Sequence, residues 1–298
     1  MSKIITFISI FRLENSFKNI LIFFPFLISE KNFFSSSLID LCFGFIIFTT
    51  LTSICYATND YSDQKRDEIN KLKNKKKILN KKIIIILNII LCASLFLLYL
   101  YSPLFNLYLV LYLILFYSYN FFLKNYFLLD IIILVLFYII RIFYGSTVLE
   151  IEISYWFLIF FSSLFINLSI FKRMIQISVN ALKEKNLIIN YSYKNFHLLK
   201  NIIFLSFLIN ILTFILYIYE IFNPGSFGIF SSTFTSYKYE LVPLIIFFII
   251  YFFWFLRLVY LVINEKVNED IYIFLIKDKF SYIFVVIPFV IILLYNVY

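Results

Sequence analysis

Asn59-Asp60-Tyr61-Ser62-Asp63-Gln64-Lys65-Arg66-Asp67 stands directly behind the apolar run 39–58. On a helix, Asp60, Asp63 and Asp67 fall three and seven positions apart and share one face. Three carboxylates facing one way repel each other unless a cation sits among them. Magnesium suits such a set, because it takes oxygen ligands and is held by one or two carboxylates plus phosphate oxygens. Just downstream, Lys71, Lys73, Lys75, Lys76 and Lys77 offer charge to the rest of a polyphosphate. The plainer alternative is a solvated acidic loop at the edge of a membrane span.

The apolar run itself is one of many. The chain is 63% hydrophobic and 14% charged, whereas soluble domains carry about 25% charged residues. Stretches near the ~20 residues needed to cross a bilayer recur at 19–38, 39–58, 83–101, 104–123, 127–148, 155–171, 198–222, 240–263 and 280–298. Backbone groups in lipid must pair within their own segment, and barrel-type alternation is absent, so each reads as a helix. The expected fold is all-α: a polytopic membrane bundle of about nine transmembrane helices, forming one domain over 1–298. Residues 4–11 are apolar, but Arg12, Glu14 and Lys18 follow where a cleavage site would need small residues. They read as an interfacial helix rather than a signal peptide. Cys42, Cys55 and Cys92 all fall within spans, without metal or disulfide spacing.

The net charge of +9 raises the possibility of nucleic acid as a partner, but its distribution points to a membrane. With the amino terminus inside, all of the 26 basic residues except Lys31, Lys238 and Arg141 fall on inner connections or their flanks. That is the positive-inside pattern. It puts the acidic motif on the cytoplasmic face of the cell membrane, and no nucleic-acid partner is expected. Arg141 lies within a span, where an ionised side chain is costly and usually faces the bundle interior. Asp130 is eleven residues earlier, about 16 Å along a straight helix, too far to pair with it directly.

Most of the chain resembles the UbiA superfamily of intramembrane prenyltransferases, whose first aspartate-rich motif is similar to Asn59–Asp67. Within it, the nearer likeness is to the decaprenyl-phosphate phosphoribosyltransferases. Their opening resembles Arg12-Leu13-Glu14-Asn15-Ser16-Phe17-Lys18-Asn19 followed by Pro25, and Lys73 and Lys76 mirror their extension of the acidic motif. Tyr117-Ser118, Leu123-Lys124, Leu129-Asp130, Arg141 and Gly145 look like their fourth and fifth spans. Ile153-Ser154-Tyr155-Trp156 and Lys172-Arg173 look like their sixth. Arg257-Leu258, Glu269-Asp270 and Lys277-Asp278 resemble their carboxy-terminal signature. The chain departs from the pattern at Asn70-Lys71, where His-Pro is common, at Lys76-Lys77 in place of Arg-Pro, and at Gln176 in place of Glu.

The resemblance implies a nine-helix bundle that binds magnesium through Asp60, Asp63 and Asp67, with Asn59 orienting a ligand. The substrates it implies are phosphoribosyl pyrophosphate and a polyprenyl phosphate. Lys73, Lys76, Lys124, Lys172 and Arg173 would neutralise phosphates, and the lipid head would lie near Lys18, Asn19 or Arg141. The second inner connection holds one acid, Glu184, among several cations. Classical prenyl transfer uses a second carboxylate set there, so this pattern favours phosphoribosyl transfer. Prenylation of an aromatic acceptor is the alternative within the superfamily, and a transporter without chemistry is the alternative outside it. Against the latter, the acids gather at a helix end rather than at mid-membrane.

Overall fold

A computed structural model of the chain describes residues 13–27, 36–62, 81–101, 103–181, 195–223 and 241–284. The described helices gather into two compact units, 1–152 and 153–298. In the first, a 3-10 helix over Leu13–Phe23 leads into α1 (Phe24–Leu27). Then come α2 (Ser36–Ser62), α3 (Lys81–Tyr101), α4 (Pro103–Phe121), a 3-10 turn at Leu123–Asn125, and α5 (Leu129–Leu149). The second unit holds α6 (Tyr155–Ala181), α7 (Phe196–Phe222), α8 (Leu241–Ile263) and the short α9 (Ile271–Lys277). No strand occurs among the described residues.

The helices run long because little interrupts them: the whole chain has 4 Gly and 5 Pro. Pro103 opens α4 and Pro243 lies in the first turn of α8, positions where the missing N–H has no helical partner anyway. Among the described residues, five helices are long and apolar enough to cross a bilayer. They are Leu38–Ser62, Leu129–Leu149, Tyr155–Val179, Phe196–Phe222 and Ile245–Ile263. Many of their large apolar side chains point outward (Ile39, Phe43, Leu205 and Leu208 are each about 60% exposed), which suits a lipid solvent and no aqueous one. The all-α membrane architecture is therefore as the sequence implied.

Three boundaries differ from expectation. The first expected span, 19–38, does not begin as a continuous α-helix: it is 3-10 to Phe23, and 28–35 lie outside the described residues. Pro25 removes a backbone donor from this segment. In addition, the segment presses its backbone against α5 at Gly145, where a Cβ would lie 2.0 Å from the Ile22 carbonyl oxygen. The helix expected over 155–171 continues to Ala181, so Lys172 and Arg173 are helical rather than part of a connection. The inner connection 264–279 contains a helix of its own, Ile271–Lys277. The interfacial helix 4–11 and most of the span 280–298 lie outside the described residues.

In the first unit, α5 is the central element. It packs on the 3-10 segment, α1, α2 and α4. Ile22, Phe48, Leu51, Tyr112, Ile140 and Tyr144 form the middle of that unit's core. In the second unit, α6 and α7 pack side by side, with α8 and α9 against α6.

Candidate functional site

The first unit carries two polar groups on one face of α2. Positions 49, 52, 56 and 60 advance by three, four and four residues, so Thr49, Thr52, Tyr56 and Asp60 form one stripe up the helix. Asp60 sits near the top of the described helix and is only 9% exposed; Asn59 beside it is half-buried. Two residues beyond Asp60, the Ser62 hydroxyl donates to the Asn120 side-chain carbonyl at 3.1 Å. The Lys124 ammonium donates to the same oxygen at 3.0 Å. Asn120 thus holds Lys124 at the acid-bearing end of α2. Asp63, Asp67, Lys73 and Lys76 lie outside the described residues.

The second group is centred on Arg141, 2% exposed within α5. Its Nε–H donates to the Asn19 side-chain oxygen at 2.8 Å, Nη1 to the Phe137 carbonyl at 2.5 Å and Nη2 to the Tyr112 hydroxyl at 3.2 Å. The rings of Tyr112, Phe48 and Tyr138 lie 5.1, 5.5 and 5.8 Å from its guanidinium carbon. Asn19 is 1% exposed and spends its amide donors on Thr49 at 3.1 Å and Thr52 at 3.0 Å. Thr52 is eight residues from Asp60, about 12 Å along α2. Tyr56, between them on the stripe, lies within electrostatic reach of the guanidinium.

Among the described residues, every hydrogen-bond partner of Arg141 is neutral. A charged side chain at mid-span costs about 2.5–3.5 kcal/mol on insertion scales, and each neutral hydrogen bond returns about 1 kcal/mol. Such dipoles orient around the charge but do not cancel it. The arrangement is a buried, rigidly held cation with a planar fork, suited to an oxygen anion.

The sequence-expected site residues divide accordingly. Arg141, Asn19, Asp60, Asn59 and Lys124 belong to the first unit, together with Lys18, which is half-buried one residue before Asn19. Lys172 and Arg173 belong to the second. There Lys172 pairs with Asp270 at 3.7 Å, and Arg173 donates to the Gln176 side-chain oxygen at 2.7 Å. Arg257 grips Asp278 through two bonds, 2.6 and 2.9 Å, and Lys277 pairs with Glu269. Burial alone pushes the Asp278 carboxyl upward. Hydrogen bonds from Arg257 and Ser281, with the Arg257 charge, outweigh that and hold it below its usual range.

Tyr112, Thr49, Thr52 and Asn120 escaped the sequence reading. Thr49 and Thr52 had a legible signal, since they continue the face of Asp60 downward at helical spacing. Tyr112 and Asn120 had none among so many aromatic and polar-tipped helices. Asp130 is fully buried at the start of α5 and does not contact Arg141. His197 is exposed at the start of α7.

Long lipid-facing helices, with a carboxylate-bearing helix end and a buried cation inside one helical unit, mark an integral-membrane protein. A model of the UbiA prenyltransferase family matches residues 20–275, and the chain belongs to that family. Its activity is accordingly of the membrane prenyltransferase type, and members of the family typically use magnesium with a diphosphate substrate. No curated protein matches the sequence at a significant level.

Proposed function

We propose that this protein transfers 5-phosphoribose from phosphoribosyl pyrophosphate to a polyprenyl phosphate, releasing pyrophosphate, at the cytoplasmic face of the cell membrane and within one domain spanning 1–298. The observation that carries the reading is the buried Arg141, whose partners among the described residues are all neutral. It is a fixed positive charge below the acid-bearing end of α2, and a lipid phosphate would complete it. The carboxylates of the carboxy-terminal signature favour the same reading. Glu269, Asp270 and Asp278 each face a cation of their own unit, so their charge is already matched. A second carboxylate set for a second metal therefore has no obvious source there.

The donor set at the top of α2 fits magnesium: a nearly buried carboxylate from Asp60 and an amide oxygen from Asn59 are hard oxygen ligands. Asp63 and Asp67 would add to them. Magnesium bound there supplies charge neutralisation to the departing pyrophosphate. Lys124, with Lys73 and Lys76, would hold the remaining phosphate oxygens. Arg141, its fork aligned by Asn19, would seat the lipid phosphate together with Lys18 and aim one oxygen at the anomeric carbon. That oxygen is already an anion, so the step needs no general base, consistent with the single histidine standing exposed on α7. The sugar carbon–oxygen bond to pyrophosphate breaks as the new bond to the lipid phosphate forms.

The test is a product assay. Purified protein with magnesium, phosphoribosyl pyrophosphate and a long polyprenyl phosphate should release pyrophosphate and yield a phosphoribosylated lipid by mass spectrometry. No such product, with prenylation of an aromatic acid from a prenyl diphosphate instead, selects the alternative within the family.

A further inference from the structure

Between α2, α3 and α4 of the first unit runs a groove of about 440 Å³ that the proposed reaction does not use. Its floor is made of Thr58, Asn88 and Tyr117. These polar groups are saturated by one another. The Asn88 amide donates to the Thr58 hydroxyl at 3.0 Å and to the Ile84 carbonyl at 2.8 Å, and its oxygen accepts from the Tyr117 hydroxyl at 2.6 Å. Thr58 in turn donates to the Ile54 carbonyl at 2.9 Å. The floor therefore has little left to offer a polar ligand, and the walls are apolar. Ile85 and Ile89 line the groove and stand 48% and 62% exposed, with Cys92 exposed beside them.

Two exposed lysines cap this stripe. Lys81 precedes Ile85 by four residues and Lys82 precedes Ile89 by seven, so both lie above the groove on the same face of α3. Asn88 meets both Thr58 and Tyr117, and Ser62 meets Asn120, so α4 runs parallel to α2. Because α3 ends at Tyr101 and α4 begins at Pro103, α3 runs antiparallel to both, which puts these lysines at the end of the unit that bears Asp60. From Lys81 to Cys92 is eleven residues, about 16 Å, or roughly half the ~30 Å hydrocarbon thickness. That depth matches a chain confined to one leaflet and is short for a long polyprenyl tail.

We infer that this groove binds an anionic glycerophospholipid, with one acyl chain along Ile85, Ile89 and Cys92 and the headgroup phosphate on Lys81 and Lys82. Basic residues at a membrane surface attract acidic lipids, and here an apolar trough lies directly beneath them. The site is separate from the Arg141 cluster, so its failure would leave the proposed reaction untouched.

The experiment uses the full chain in phosphatidylcholine nanodiscs doped with phosphatidylglycerol or phosphatidylcholine bearing an acyl-chain diazirine. After irradiation, adducts are mapped by peptide mass spectrometry. Labelling of 84–92 should be several-fold higher with phosphatidylglycerol, and the Lys81→Gln/Lys82→Gln double variant should fall to the phosphatidylcholine level with unchanged thermal unfolding. Equal labelling by the two lipids would overturn the inference, as would labelling that survives the double variant. Displacement by unlabelled polyprenyl phosphate more readily than by unlabelled phosphatidylglycerol would reassign the groove to the substrate lipid. An absence of adducts from both lipids would mean that another part of the chain covers it.

Discussion

Asn19 and Arg141 stand 122 positions apart in sequence and are joined inside the first unit by a 2.8 Å bond from guanidinium Nε–H to amide oxygen. That bond ties the 3-10 segment to α5, while the Asn19 amide ties the same segment to Thr49 and Thr52 of α2. A neutral amide is the informative choice. A carboxylate at position 19 would pair with Arg141 more strongly and satisfy it. The amide aligns the fork and leaves its charge in place.

Asn19→Asp therefore separates stability from binding. The new ion pair should hold or raise the unfolding temperature, because the Thr49 and Thr52 hydroxyls can turn to donate to the carboxylate. The same pair neutralises the cation that the lipid phosphate would need. We expect KM for polyprenyl phosphate to rise about tenfold or more, equivalent to ~1.4 kcal/mol. A lipid saturation curve beside a thermal melt checks both halves, and an unchanged KM would remove Arg141 from phosphate binding.

Gly145→Ala attacks the same junction through the backbone. A Cβ there would lie 2.0 Å from the Ile22 carbonyl oxygen, an atom of main chain that cannot swing aside. The 3-10 segment must shift, carrying Asn19 away from Arg141. Overpacking of this kind costs about 1–3 kcal/mol. Gly44→Ala is the control: the nearest atom to its Cβ would be the Tyr144 hydroxyl oxygen, at 3.1 Å, the far end of a side chain that can yield. Thermal unfolding should rank Gly145→Ala well below Gly44→Ala, and turnover should follow the same order.

The helices were legible because apolar runs of span length leave one backbone solution in lipid, and because Asn59–Ser62 simply prolong the run before them. Of the acid face that spacing suggests, Asp60 stands on the described helix, and Asp63 and Asp67 fall outside the described residues. The rest depends on contacts between distant elements. The 3-10 form of Leu13–Phe23 goes with close packing at Gly145, and no local pattern announces it. Lys172 and Arg173 read as a connection because charges end apolar runs, yet Lys172 is met by Asp270 and Arg173 by Gln176, so the helix carries them onward. Arg141 announced itself by its cost, but its partners could be found only in three dimensions.

The Arg257–Asp278 pair gives a pH signature in the second unit. The Asp278 carboxyl titrates lower when folded than its unfolded value of about 3.9. Its contribution to stability is thus fully present above about pH 4 and is lost as pH falls through the folded value. Asp278→Asn should lower the unfolding temperature by a constant amount between about pH 5 and 7. The gap from the parent protein should close as the pH drops below about 4. Melts across that range in a detergent stable to acid would show it, and a gap independent of pH would assign the loss to packing alone.

Asp60→Asn asks whether the acid end of α2 holds a cation. The substitution is nearly isosteric at a site only 9% exposed, and an amide can keep the local hydrogen bonding, so insertion and folding should survive. What disappears is a charged oxygen ligand. For the parent protein, magnesium binding only the folded state should raise the unfolding temperature in proportion to RT ln(1 + [Mg]/Kd), about 2.7 kcal/mol at a hundredfold excess over Kd. The variant should show little of that shift and lose turnover by two or more orders of magnitude, the scale on which removing one transition-state charge contact acts. Lys124→Gln at the same end should behave differently. It leaves the magnesium shift intact and raises KM for the diphosphate substrate, because an ammonium touches phosphate oxygens and not the metal. If Asp60→Asn kept both the shift and the turnover, the carboxylate at the top of α2 would be structural, and the metal would have to be sought elsewhere in the chain.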